Sequence, residues 1–100
     1  WILTGDMFGA DEAHRVGVAN RVFPAAELQA GTRAMVDTIL SRGPVAVRLA
    51  IEAIRRGMNM SQAEGELIET DMFALAATTE DMQEGMSAFL EKRKAEFKNR

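Results

Sequence analysis

Apolar positions recur along this chain at two spacings. Trp1, Ile2 and Leu3 form a β-prone run that meets Thr4-Gly5-Asp6, residue types that favour turns. A second β-prone run spans residues 18–23 and is closed by Pro24. Residues 2–8 and 18–23 are predicted to pair as a short two-stranded β element, which is marginal when it stands alone. Between them, Gly9-Ala10-Asp11-Glu12-Ala13 predicts the start of a short helix, with acids in the first turn where the helix dipole favours them. Gly17 suits the left-handed residue that ends it.

From Pro24 onward the spacing becomes helical. Pro24 is predicted to open a helix whose apolar face is Leu28, Thr32, Met35, Val36, Ile39 and Leu40. Ser41-Arg42-Gly43-Pro44 breaks it, and Pro44 starts the next, with Val47, Ala50, Ile51, Ile54 and Met58 as its stripe. Gly57 and Asn59 mark its end. Ser61-Gln62-Ala63-Glu64 is a capping box, in which side chain and backbone satisfy each other reciprocally. It opens a helix through Leu67, Ile68, Met72, Leu75 and Ala76. Thr78-Thr79-Glu80-Asp81 restarts the chain in a last helix with Met82, Met86, Phe89 and Leu90 on its apolar face. The basic residues Lys92, Arg93, Lys94, Lys98 and Arg100 are expected to close it as a helical C-terminus.

The predicted class is therefore mainly α: five helices with short connections and a small β appendage at the start. Two helices carry surplus apolar surface. Val45, Val47, Leu49, Ala50 and Ile51 nearly surround the first turns of the third, and Phe73 lies off the main stripe of the fourth. Such a layer is expected to pack on another domain, on sister subunits, or on both.

Composition narrows the chemistry. The 100 residues are 47% hydrophobic and 27% charged, an ordinary balance for a single soluble domain. Cysteine is absent, which excludes disulfides, thiolate metal sites and a cysteine nucleophile. His14 is the one histidine, so a histidine-built metal site is disfavoured and a Ser-His-Asp arrangement has one possible base. A net charge of −3 and 6% aromatics argue against nucleic acid as a partner. No apolar run is long enough to span a membrane. The absence of cysteine and of a visible signal is compatible with a bacterial cytoplasm, the expected location. The chain opens on Trp1-Ile2-Leu3, with no initiator methionine and no polar lead. A larger protein with sequence upstream is the expectation.

Several groups look chemical and read more simply. Glu64, Glu66, Glu69 and Asp71 suggest a carboxylate cluster, but no Glu-x-x-His pattern completes a metal site, and a solvated face accounts for them. His14 has no evident nucleophile beside it in sequence. The seven methionines suggest an adaptable groove, yet Met72, Met82 and Met86 sit on apolar stripes where core or subunit contact suffices. Gly5 and Gly9 do not make a dinucleotide fingerprint. Charge layout is more unusual. All three lysines fall in the last nine residues, after eight acids and no base from position 58 to 91. A helix-dipole tail explains this, as does a basic end that meets a phosphate-bearing ligand.

Two stretches carry a resemblance. Leu3-Thr4-Gly5-Asp6, Ala10-Asp11-Glu12-Ala13 and Gly17-Val18-Ala19-Asn20-Arg21-Val22-Phe23-Pro24 resemble the segment joining the two parts of crotonase (enoyl-CoA hydratase/isomerase) family subunits. Glu84-Gly85-Met86-Ser87-Ala88-Phe89-Leu90-Glu91-Lys92-Arg93-Lys94 is similar to the family's closing motif. Val18-Ala19 replaces the usual Leu-Val, and Met7 stands where a basic residue is common. The resemblance covers essentially all 100 residues and corresponds to roughly the last third of a family subunit.

The resemblance implies the C-terminal multi-helical, trimerisation part of a crotonase-like (ClpP/crotonase) fold, whose parent subunit is α/β. Residues 1–24 would be the end of the core domain with its connecting helix and strand, and residues 25–100 the helical oligomerisation domain. It implies an enzyme acting on an acyl-CoA thioester, most simply hydrating a 2-enoyl-CoA, with CoA entering as part of the substrate and no separate cofactor. In the family, two backbone N–H groups form an oxyanion hole and two glutamates move the proton and water. These correspond to positions outside this chain, so Glu12, Glu64 and Glu84 are not catalytic candidates. Phe73 matches a family aromatic lining the acyl/CoA site. Lys92 matches a family lysine that reaches CoA phosphate, commonly across a subunit boundary. The implied partners are an acyl-CoA substrate, the missing N-terminal core, and copies of the same subunit in a homotrimer or a hexamer built as a dimer of trimers. The alternatives are a stand-alone helical assembly module without chemistry, or a family member with acyl-CoA isomerase or hydrolase activity. By itself the chain is expected to be inactive and to self-associate.

Overall fold

The computed structural model describes residues 1–100 and contains five helices: α1 (Ala10–Arg15), α2 (Leu28–Leu40), α3 (Pro44–Gly57), α4 (Gln62–Ala77) and α5 (Glu80–Leu90). None is long and apolar enough to cross a membrane. Two compact units divide the chain, Trp1–Val36 and Asp37–Arg100.

In the first unit the predicted two-stranded β element does not form, because its backbone donors are used elsewhere. The Gly5 N–H closes a turn onto the Trp1 carbonyl at 2.8 Å, with Gly5 at φ 70°, a left-handed value that favours glycine. The Trp1 and Phe8 rings stack with centroids 3.5 Å apart. At the other candidate strand, Val18 and Ala19 both donate to the Ala13 carbonyl, at 2.8 and 3.1 Å. Those bonds belong to the end of α1. Gly17, at φ 82°, turns the chain back so that its own N–H meets His14 O and the Val18 N–H meets Ala13 O, closing orphan carbonyls of the last turn. Pro24 has no N–H to offer a ladder.

Pro24 heads a turn rather than a helix. Its carbonyl accepts from Glu27 at 2.8 Å, and α2 starts at Leu28. Gly31 within α2 has a specific reason. A Cβ there would overlap the Phe23 ring, so the absent side chain is what lets Phe23 lie against the helix.

In the second unit, α3 and α4 pack as a helical hairpin joined by residues 58–61. Pro44 sits at the first position of α3, and the capping box at the start of α4 is complete. The Ser61 N–H donates to Glu64 Oε2 at 3.0 Å, and the Glu64 N–H reaches Ser61 Oγ at 3.4 Å. Gly57 and Gly65 meet at the closed end of the hairpin, where a Cβ on either would lie 3.6–3.7 Å from the other's Cα. The half-buried residues Gly65, Ile68, Met72 and Ala76 form one stripe of α4. Leu67, Phe73 and Leu75 lie outside it and are exposed.

Little is enclosed. Ala13 and Ala88 are the only buried hydrophobic residues, while Ile2, Leu3 and Met7 are at least 98% exposed and Phe89 is 80% exposed. The surplus apolar surface expected from the helical stripes is therefore present and uncovered by this chain.

Replacing Ser61 by Ala removes one partner of the cap and should cost about 1 kcal/mol of stability. Urea unfolding of the full subunit checks this, and an unchanged midpoint would show that the cap is redundant.

Candidate functional site

The chemistry-bearing motif of the sequence lies on α5 and the residues after it. Thr79 caps α5: its Oγ1 accepts from Met82 N–H at 3.1 Å and donates to Ala76 O at 2.7 Å. At the other end, the helix stops at Leu90. The Lys92 N–H donates to Phe89 O at 3.3 Å and the Arg93 N–H to Ala88 O at 3.0 Å, with Lys92 at φ 55°. That is the same helix-ending turn that Gly17 makes, but built with a lysine. An L side chain in this region costs roughly 1–2 kcal/mol.

The basic tail is therefore not a helical C-terminus as expected. It reverses at Lys92 and returns along α5 as an extended strap. The Glu96 N–H donates to Glu84 Oε1 at 2.8 Å. The Lys98 and Asn99 N–H groups donate to the two oxygens of Asp81, at 2.6 and 2.9 Å. The Asp81 N–H in turn meets Arg100 O at 3.0 Å. The Phe97 ring fits where Gly43 and Gly85 leave room, with a Cβ on either glycine falling 3.5–3.7 Å from the ring. Asp81 is nearly fully buried, and its charge is held by backbone donors.

Arg93 is the hub of this arrangement. Its Nη1 and Nη2 grip Glu84 Oε1 and Oε2 at 2.5 and 2.9 Å, Nε reaches Glu91 Oε2 at 2.6 Å, and Nη1 also donates to Lys94 O at 3.3 Å. The paired fork is the strong geometry for guanidinium and carboxylate. It holds the Glu84 carboxyl down at about 2, helped by the Glu96 N–H, and pushes Arg93 up. Arg100 is paired too, with Nε 2.9 Å from Glu80 Oε2. Lys92, Lys94 and Lys98 have no ion-pair partner.

Of the two candidate ligand contacts, Phe73 stands in α4 and is 67% exposed, and Lys92 stands at the apex of the reversal, exposed and without an ion-pair partner. They occupy separate elements. A polar cleft between α5 and the strap is lined by Glu80, Asp81, Glu84, Arg93, Glu96 and Lys98. Four acids against two bases make it a poor seat for a phosphate, and Lys92 lies outside its lining. A second, apolar groove runs over Ile39, Leu40, Pro44, Val47 and Ile51, with Arg42, Arg48 and Arg55 at its edge.

The other groups noted in the sequence have local duties. Glu64 completes the α4 cap, and Glu66 accepts from Gln62 Nε2 at 2.9 Å. No three His, Asp or Glu side chains converge as a metal-holding group. The His14 Nδ1 lies 3.0 Å from Ala19 O in the wrap that ends α1. Sequence reasoning missed the Glu84–Arg93 fork and the Asp81 strap contacts. Their spacings, nine and seventeen to eighteen residues, match no helix or turn period, so periodicity held no signal for them.

This helical layer, with its basic reversal after the last helix, matches proteins already described. The enoyl-CoA hydratase/isomerase family model matches residues 1–100, and the chain belongs to that family, the crotonases. It is 44% identical over 96 residues to crotonyl-CoA hydratase of Syntrophomonas wolfei, which covers 96% of this chain and 37% of that protein. It is 41% identical to the short-chain-enoyl-CoA hydratase of Clostridium acetobutylicum, across 99% of this chain and 38% of the relative. The crystal structure of enoyl-CoA hydratase from Bacillus anthracis superposes with a TM-score of 0.94 at 35% identity, over 99% of this chain and 38% of that one. The chain thus spans less than two-fifths of the length of the relatives it matches.

The fork sets a pH dependence. The folded Glu84 titrates below its ordinary 4.5, so its contribution to holding the strap is complete above that pH and fades as pH falls toward about 2. Carboxyl 13C NMR of Glu84 should show a midpoint near 2, with the Glu96 amide shift moving in step. A midpoint at the ordinary glutamate value would mean that the fork does not persist in solution.

Proposed function

We propose that this chain is the C-terminal helical portion of a subunit that hydrates 2-enoyl-CoA thioesters, and that it supplies subunit-assembly contacts and part of the CoA site. The observation that carries the reading is the match along all of residues 1–100 to hydratases, at 41–44% identity, by a chain that spans 37–38% of their length. Its uncovered apolar faces support a role in assembly. The groove over Ile39, Leu40, Val47 and Ile51 and the exposed Phe89 and Leu90 are surface that a neighbouring domain or copy would cover. A trimer, or a hexamer of two trimers, is the assembly that the family resemblance implies.

The proposed division of labour follows from the chemistry present. The oxyanion-hole donors and the two glutamates that add water across the double bond belong to the remainder of the subunit. This chain's contribution is to hold the substrate. Phe73 offers an apolar ring to the acyl portion, and Lys92 offers a mobile, unpaired ammonium to a CoA phosphate. A side chain kept in a left-handed turn, where glycine would be less strained, is consistent with a requirement for that lysine's charge.

Steady-state hydration of crotonyl-CoA by the full subunit tests the activity, and no turnover at any acyl length would remove the hydratase assignment. Within an active subunit, Lys92→Ala should raise KM for the CoA thioester about fivefold with kcat nearly unchanged, the scale of one exposed charge contact. Phe73→Ala should raise KM by an amount that depends on acyl length. The 100-residue chain alone should show no hydration, and its melting should depend on concentration as its apolar faces associate. A sharp, concentration-independent transition would contradict the assembly role.

A further inference from the structure

Lys92 and Arg93 are adjacent cations in very different states. Arg93 has four of its N–H directions occupied: two by Glu84, one by Glu91 and one by the Lys94 carbonyl. With two carboxylates around one guanidinium, this cluster carries a formal charge of −1 and cannot itself attract an anion. The Lys92 ammonium has no partner, although Glu91 precedes it directly in sequence. Glu91 is turned instead to Arg93 Nε at 2.6 Å, and Glu84 is taken by the paired fork.

We propose that Arg93 is a positioning residue for anion recognition by Lys92. By engaging Glu84 and Glu91 it withdraws both carboxylates from competition for the ammonium, and it lowers the negative field that an incoming phosphate would meet. The same contacts pin the segment after the reversal. The backbone bonds from Lys92 to Phe89 and from Arg93 to Ala88 tie the reversal to the end of α5, so the Lys92 backbone is fixed at the apex. Without Arg93, the Glu91 carboxylate next to Lys92 in sequence and the Glu84 carboxylate both lose their guanidinium partner. This inference rests on the reading that Lys92 meets a phosphate of CoA.

The test is calorimetric binding of CoA, and of pantetheine, which has no phosphate, to the full subunit. Lys92→Gln should weaken CoA binding about fivefold and leave pantetheine unchanged, as expected for one exposed charge contact. If it does not, the phosphate reading and this inference fall together. Arg93→Gln should reproduce that selective loss, and Arg93→Lys, which keeps the charge, should restore affinity to within about twofold of the original. Unchanged CoA binding in Arg93→Gln, an equal loss for pantetheine, or no rescue by Arg93→Lys would overturn the inference while leaving Lys92's role intact. Should Arg93→Gln fail to fold, Glu91→Gln decides alone. Removing one carboxylate should tighten CoA about twofold without affecting pantetheine, and no change would overturn the proposal.

Discussion

The apolar stripes of α2 to α5 need burial to stabilise the fold, and this chain leaves them largely uncovered. Ala13 and Ala88 are the only buried hydrophobic residues, and larger apolar side chains of α3, α4 and α5 remain open. Conformational entropy on the order of 1–2 kcal/mol per residue has to be offset by burial. Within Asp37–Arg100, what this chain does close is small and local: the α3–α4 hairpin, its capping box, and the strap along α5. These features fix how α3 and α4 pair and how the tail lies along α5. The apolar faces that these features leave open are the basis of the proposed role in assembly.

The local rules were legible wherever a single residue type decides a backbone state. Pro44 at the head of α3, Ser61 with Glu64 at the head of α4, Thr79 before α5 and Gly17 after α1 all act as their chemistry requires. The β-prone runs misled because strand propensity describes fit to a half-buried pleated surface. Here the donors of Val18 and Ala19 were claimed first by the end of α1, and that of Gly5 by a turn. Pro24 misled by one turn for a related reason, since it suits a tight turn as well as a helix start.

The closing motif was legible as a family signature but not as a structure. A run of basic residues after an apolar helical stripe reads naturally as a dipole-compensating last turn. The strap depends instead on contacts between residues far apart in sequence: Glu84 with Arg93 and Glu96, and Asp81 with Lys98 and Asn99. Asp81 shows how a sequence reading can be incomplete without being mistaken. It is an acid in the first turn of α5, as expected, and it is also the anchor for two backbone N–H groups of the tail.

The left-handed lysine after α5 sets local comfort against charge. Glycine at position 92 would relieve a conformational cost of about 1 kcal/mol in the turn. A redesign guided by stability alone would choose it. Such a protein would melt later and keep its fold, and it would have discarded the cation at the apex of the reversal, which no carboxylate holds. At this position thermal robustness favours glycine, while the proposed contact with a CoA phosphate requires the lysine.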